Sequence, residues 1–180
     1  ELVYDAWETE DSHEAYQLFR QAVELDPDNV DGWLGVLEFA GLETEEKVEA
    51  LRKLKVRGEA NLGPKAFEED KGHFWGMIET RPYMRARAQL AIALKEMGRM
   101  GDAIAEQEGL LELNPNDNQG IRYGLMACYL AENRLDGVRR LFKDYDERAF
   151  SAVWAWAFVL ERLLSGDMAT ALVADRKAHV

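Results

Sequence analysis

Along most of the chain, apolar residues recur at every third or fourth position, and polar residues fill the positions between them. This is the spacing of amphipathic helices, which bury one face. In the segment 12–25, the apolar face consists of Ala15, Leu18, Phe19, Ala22 and Val23. The same spacing predicts further helices over residues 29–40, 44–61, 81–97, 101–113, 117–132, 135–145, 149–164 and 168–177. The sequence lacks the alternation typical of strands, so we predict an all-α protein.

The connections between the predicted helices are short. Gly98-Arg99, Asn114-Pro115 and Ser165-Gly166 leave room only for an antiparallel neighbour. Successive helices should therefore form hairpins, and we predict four to five of them. Because the chain has 180 residues, of which 47% are hydrophobic, we expect residues 1–180 to form one domain with a sizeable core.

Small and large residues recur at fixed offsets in two of these hairpins. The first copy has the spacing Ala-x3-Phe-x2-Ala-x4-Pro and consists of Ala15, Phe19, Ala22 and Pro27. The second copy consists of Leu90, Ala91, Gly98, Ala103 and Pro115. Both copies resemble the tetratricopeptide repeat. This resemblance implies a right-handed superhelical stack of antiparallel hairpins, in which the first helix of each hairpin lines a concave groove.

A looser similarity runs from Arg87 through Tyr145-Asp146 to His179-Val180. In this stretch the chain is similar to the suppressor-of-tumorigenicity seven family, whose middle region is also built of such repeats. The similarity agrees with the helical hairpins predicted for the same residues.

One segment breaks the regular spacing of the repeats. Pro27 and Pro115 are separated by more than two repeats and fewer than three, which leaves roughly twenty extra residues. We place this insertion near residues 58–82, where His73, Phe74 and Trp75 form a possible insertion site. Insertions in repeat arrays map to loops on one face, often the binding face. Alternatively, the aromatic residues pack beneath the array and close a longer connection.

The sequence carries no recognisable catalytic, metal-binding or cofactor-binding motif. Its three histidines lie far apart, and neither a phosphate-binding glycine loop nor a nucleophile elbow is present. Cys128 stands among apolar residues of a predicted helix, where a structural thiol is expected. We therefore predict a protein that is not an enzyme and that has no cofactor.

Charge and hydropathy narrow the classes of partner. A net charge of -12 repels the phosphate backbone, so we expect no nucleic acid partner. No apolar run approaches the roughly 18 residues of a membrane helix, so we predict no membrane segment. The single cysteine fits a reducing compartment, and we predict a cytoplasmic location.

The predicted groove residues lie on two first helices of the array. The candidate peptide-binding residues are Arg85, Ile92, Lys95, Asn118, Arg122, Met126 and Tyr129. Arg85 and Arg122 could recognise an acidic side chain or a C-terminal carboxylate by charge-assisted hydrogen bonds. Alternatively, each arginine pairs with a nearby acid of its own protein.

These observations favour a non-catalytic scaffold that binds a protein or peptide in its concave groove. A second hypothesis is an assembly module that forms homo-oligomers through exposed apolar ends of the array, because Trp154, Trp156 and Phe158 cannot all face one side of a helix. A third, less favoured hypothesis is a ligand-binding or enzymatic site in the insertion, with His73 as its acid–base group.

Overall fold

A computed structural model describes residues 1–178, and their regular structure is entirely helical. A single turn of 3₁₀ helix at Phe74–Gly76 accompanies the α-helices. The α-helices are α1 Leu2–Glu8, α2 Ser12–Leu25, α3 Val30–Phe39, α4 Thr44–Glu69, α5 Arg81–Glu96, α6 Met100–Leu113, α7 Ile121–Ala131, α8 Leu135–Tyr145, α9 Ala152–Leu164 and α10 Met168–Ala178. The prediction of an all-α protein is confirmed.

The helices group into two compact units. The N-terminal unit, Glu1–Asn118, contains α1 to α6, and the C-terminal unit, from Gln119 onward, contains α7 to α10. Within the described residues, neighbouring helices pair as five hairpins, three in the first unit and two in the second. The predicted hairpin architecture is therefore confirmed within each unit, and the single domain over residues 1–180 stays a prediction.

The core of the N-terminal unit joins its second and third hairpins. Leu34 of α3, Leu51 of α4 and Leu90 of α5 are buried together in one cluster. A smaller cluster joins α1, α2 and α3, with Phe19 at its centre. Phe19 lies directly over the backbone of Gly35, so glycine at this position lets α2 and α3 approach closely.

The core of the C-terminal unit surrounds a buried tryptophan of α9. The Trp154 ring lies 5.5 Å from the ring of Phe142 in α8 and 6.3 Å from that of Tyr123 in α7, both in edge-to-face geometry. Gly137 of α8 packs against the ring of Tyr129, where an added Cβ would lie 2.7 Å from ring carbons. The unit therefore depends on aromatic packing and on one close helix approach.

The largest differences from the predicted helices are at α1, α4 and α7, and α9 begins at Ala152, three residues later than predicted. Helix α1 was not predicted, although Val3 and Ala6 give it a buried face. Helix α4 continues past the predicted end at residue 61, because the chain resumes helical geometry after a kink at Gly63, whose φ is 69°. Helix α7 begins at Ile121 and not at Asp117, because Asp117 and Gly120 have positive φ.

Candidate functional site

The first helices of the three N-terminal hairpins meet at one cluster. Helix α3 packs against both α1 and α5, which brings together Trp7, Asp31 and Arg85, one from each helix. Nε of Arg85 donates to Oδ1 of Asp31 over 2.8 Å, and Nη2 donates to the other carboxylate oxygen. The Arg85 guanidinium also lies 5.0 Å from the centre of the Trp7 ring, a cation–π distance.

This ion pair fixes the guanidinium and leaves part of it available. Asp31 is buried, while the Arg85 side chain keeps about a quarter of its surface exposed. Nε and Nη2 of Arg85 are used by Asp31, and Nη1 donates to no other described residue. Arg85 therefore has donors left for a group outside the chain, although the acid that it recognises in the structure is its own Asp31.

An exposed aromatic pair adjoins the cluster. The rings of Tyr4 and Trp7 in α1 lie 5.5 Å apart, edge to face, and these residues are 56% and 46% exposed. A cavity of about 610 Å³ opens beside Tyr4 and Asp31 and is also lined by Asn61 and Pro82. The surface thus combines apolar rings, a fixed cation and a concave region.

Two further predicted residues lie on the same helix as Arg85. Ile92 is half exposed and Lys95 is exposed, at seven and ten positions after Arg85 in α5. Residues at this spacing share one helix face. We define the first-helix surface as Tyr4, Trp7, Asp31, Arg85, Ile92 and Lys95, all in the N-terminal unit.

The candidates on α7 belong to the C-terminal unit, and the structure corrects two of them. Met126 and Tyr129 are only 2% and 3% exposed, so they are core residues and not apolar anchors on a surface. The faces of α7 that these residues occupy are covered because α7 packs against both α8 and α9. Asn118 is exposed, but it precedes α7 and belongs to the N-terminal unit.

Arg122 is engaged inside the C-terminal unit. Its Nε and Nη2 donate to Oε1 of Glu147 over 2.9 and 2.6 Å, and the Tyr123 hydroxyl donates to the other carboxylate oxygen. The hydrogen bonds from Tyr123 and Arg122 lower the pKa of Glu147 below its ordinary value. Arg122 pairs with Glu147 and Arg85 pairs with Asp31. Both arginines therefore follow the alternative stated above, in which each pairs with an acid of its own protein.

Two of the three predicted insertion-site residues, Phe74 and Trp75, pack against other side chains of the chain. Phe74 is fully buried, with its ring 5.1 Å from that of Phe67 and 6.3 Å from that of Tyr83. Trp75 is half buried beneath the Arg81 guanidinium, which lies 5.5 Å from the ring centre. Phe74 is therefore corrected from a site residue to a core residue, as the alternative interpretation of the insertion expected.

Among the described residues, the geometry gives no support to a catalytic or metal-binding site. His73 is exposed, and in residues 1–178 no three His, Cys, Asp or Glu side chains gather as a set that could hold a metal ion. Cys128 is buried, as expected of a structural thiol. None of the helices in the described part of the chain is both long enough and apolar enough to cross a membrane.

Sequence analysis missed half of the first-helix surface. Tyr4 and Trp7 were not predicted, because α1 was not recognised as a helix. Asp31 was not singled out, although its helix α3 was predicted. A signal was present, since Leu2, Val3 and Ala6 have helical spacing and Trp7 follows them. Asp31 and Arg85 are 54 positions apart in the sequence, and a local sequence pattern does not predict a contact over that separation.

Comparison with known proteins identifies the repeats. The tetratricopeptide repeat model matches residues 6–29 and 85–117, which contain the two copies of the spacing noted above. No curated protein matches the chain. The looser similarity to the suppressor-of-tumorigenicity seven family has no support in these comparisons, and its last two residues, His179 and Val180, lie outside the described residues. Repeats of this kind are commonly protein-interaction scaffolds, and the two matched segments, which lie in helical hairpins, are similar to the tetratricopeptide repeat.

Proposed function

We propose that this chain binds a protein or peptide partner through the first-helix surface of its N-terminal unit. The observation that carries the proposal is the convergence of three first helices on an exposed aromatic pair and a fixed guanidinium. Exposed aromatic rings next to arginine are the composition typical of energetically dominant interface positions. The role is that of a non-catalytic scaffold, and the absence of catalysis and the cytoplasmic location stay predictions.

The cluster is ordered before a partner arrives. Asp31 holds the Arg85 guanidinium by two hydrogen bonds, and the guanidinium in turn faces the Trp7 ring. A partner therefore does not have to order this long side chain, which reduces the entropic cost of binding. Removal of Arg85 would leave a buried carboxylate without its cation, so Arg85 has a structural role as well as a binding role.

The surface favours a partner segment with an apolar residue and a nearby acceptor. The apolar residue would contact Tyr4 and Trp7, and a second apolar position would reach Ile92. An acidic side chain, a C-terminal carboxylate or a main-chain carbonyl would accept from Nη1 of Arg85 or from Lys95. Asp31 does not need to be displaced, because Nη1 takes no part in the ion pair.

A peptide library displayed against the immobilised chain tests the proposal. Selected peptides would be labelled and titrated by fluorescence anisotropy against the native chain, Trp7→Ala and Phe150→Ala. We expect Trp7→Ala to weaken binding at least tenfold, about 1.4 kcal/mol, because it removes the centre of the surface. Phe150→Ala is the matched control, since Phe150 is an exposed aromatic residue of the other unit.

Both variants need a thermal melt beside the titration. Trp7 is about half exposed, so its loss should leave the melting temperature close to that of the native chain. Selected peptides that bind native chain and Trp7→Ala equally well would contradict the proposed surface.

A further inference from the structure

An apolar groove continues from the first-helix surface, between α1, α4, the start of α5 and the turn that joins α2 to α3. It is the cavity of about 610 Å³ described above, and Tyr4 and Asp31 belong to both surfaces. Two of its apolar lining residues are largely open to solvent, since Leu25 is 79% and Tyr4 is 56% exposed. Leu62 of α4 and Pro82 of α5 add further apolar lining. The groove is therefore suited to the apolar part of a long side chain.

The charges that line this groove all have the same sign. Every charged side chain of the lining is a carboxylate, including those of Asp26, Asp28, Asp31 and Glu79. Asp28 and Asp31 each pair with an arginine that lies outside the lining. Asp26 and Glu79 are exposed and pair with no cation of the described residues. Two carboxylates are thus available to a cation from outside the chain.

The charge of the surrounding unit has the same sign as the groove. Residues 1–118 contain 26 acidic and 13 basic side chains, a net charge of -13, whereas residues 119–180 carry a net charge of +1. A cleft lined by one sign of charge concentrates ligands of the opposite sign. Charge complementarity therefore selects an occupant that combines apolar surface with a positive charge.

The turn that carries two of these carboxylates is held in place by α4. Nη1 of Arg57 donates to the carbonyl oxygen of Pro27, and Nδ2 of Asn61 donates to that of Asp28 over 2.9 Å. The N–H of Asp28 donates to Oδ1 of Asp26 over 3.0 Å, which orients the Asp26 carboxylate. Because the turn is ordered beforehand, a ligand does not bear the entropic cost of ordering it.

The side chain of a basic amino acid matches the groove better than a bare ion does. Within residues 1–178, no three His, Cys, Asp or Glu side chains gather as a set that could hold a metal ion. Lysine and arginine each combine an aliphatic stem with a charged end. The stem would contact Leu25 and Tyr4, and the charged end would reach the carboxylates of Asp26 and Glu79.

We propose that this groove binds a lysine or arginine side chain of the same partner segment whose apolar residue contacts the first-helix surface. The inference rests on the proposed function and adds the chemical class of a second anchor residue in the partner. Because Tyr4 belongs to both surfaces, the basic residue lies close in sequence to the apolar one. Its charge is opposite to that of an acidic group accepted by Arg85.

Peptides selected from a random library on the immobilised chain test the proposal. We expect lysine or arginine to be enriched close to the apolar residue. Each selected lysine peptide would be labelled and compared by fluorescence anisotropy with a copy in which norleucine replaces the lysine. The double variant Asp26→Asn/Glu79→Gln should weaken the lysine peptide about three- to tenfold, the effect expected of two exposed ion pairs, and leave the norleucine peptide unchanged.

A matched control separates the groove from the net charge of the unit. Glu45→Gln/Glu68→Gln removes the same two charges from exposed positions of α4 that do not line the groove, and it should leave binding unchanged. Asp26→Asn keeps an oxygen that accepts from the N–H of Asp28, so we expect both double variants to melt close to the native temperature. Equal weakening of the lysine peptide by the two double variants would overturn the proposal.

Failure of the groove and failure of the proposed function give different results. Selected peptides that lose affinity for Trp7→Ala, but bind equally well with lysine or norleucine, would overturn the groove and leave the first-helix surface supported. Lysine peptides that depend on Asp26 and Glu79 but not on Trp7 would support the groove and contradict the first-helix surface.

Discussion

At the scale of single residues, close helix approaches depend on glycines that face large rings. The Phe19 ring lies against the Cα of Gly35, and the position of a Cβ at Gly35 is already filled by ring atoms. Phe19 is only 2% exposed, and side chains in a packed interior have little room to shift. Gly101, at the start of α6, has no atom within 4 Å of the position of its Cβ. The same substitution should therefore have opposite consequences at the two positions.

We predict that Gly35→Ala lowers the free energy of unfolding by about 1–3 kcal/mol, because it overpacks a filled core. Gly101→Ala should leave this free energy unchanged or raise it by up to about 1 kcal/mol, because alanine favours the helix. Urea unfolding followed by circular dichroism measures both values. Equal effects of the two substitutions would mean that the Phe19 contact does not determine the packing of α2 on α3.

At the scale of helices, the carboxylate of Glu106 in α6 forms ion pairs with side chains of α4 and α5. Glu106 of α6 accepts from Lys55 of α4 and from Nε of Arg87 of α5, both over 2.7 Å. Burial alone would raise the pKa of Glu106, but the hydrogen bonds and charges of Lys55 and Arg87 outweigh burial and lower it below its ordinary value of 4.5. The ionised form therefore stabilises the packing of α4, α5 and α6.

We predict that Glu106 contributes stability that is fully present above about pH 4.5 and is lost as the pH falls through its lowered pKa. Glu106→Gln should lower the free energy of unfolding at pH 7 and make it less dependent on pH between about 3 and 6. Urea unfolding at several pH values measures this dependence. Glu10→Gln is the control, because this exposed carboxylate accepts no hydrogen bond from a described residue. A pH profile of Glu106→Gln as steep as that of the native chain would refute the assignment.

At the scale of the whole molecule, two compact units share one chain. Each unit has its own aromatic or aliphatic core and its own close glycine contact, Gly35 in the first and Gly137 in the second. Helical repeat proteins gain stability from contacts between neighbouring hairpins. If residues 1–180 form one domain, as predicted, we expect the whole chain to unfold in a single cooperative transition.

We predict that Gly35→Ala and Gly137→Ala each shift one common thermal transition to lower temperature. In a two-state chain, destabilising either unit destabilises both. Differential scanning calorimetry of the native chain and the two variants tests this prediction. Two separate transitions, each shifted by only one of the substitutions, would show that the units unfold independently.

Local sequence patterns predicted most of the helices because the signals are local. Helices α2 and α8 have the predicted bounds, since apolar spacing and the turns that flank them specify where a helix begins and ends. The kink at Gly63 was not predicted, because a helix can resume after a break when its side chains find a core. Phe67, beyond the kink, packs against Tyr83 with ring centres 5.3 Å apart, a contact between separate helices.

The candidate site was less predictable than the helices. Ile92 and Lys95 lie on the exposed face of α5 as expected, because a helical period determines which residues share a face. Met126 and Tyr129 were placed on the wrong side, because the period gives the face but not which neighbouring helix covers it. Whether an arginine is free or paired depends on acids far away in the sequence, as with Arg85 and Asp31.

The sequence by itself determined that this protein is helical, that its helices pair as hairpins and that two segments are tetratricopeptide repeats. Those properties follow from periodicity, turn residues and small-residue spacing over one or two helices. Only the tertiary structure decided that Arg85 is held by Asp31 beside Trp7, that Phe74 is core, and that Met126 and Tyr129 are buried. The physical reason is that burial and ion pairing depend on which helices, far apart in the sequence, pack against one another. A local sequence pattern does not specify these contacts.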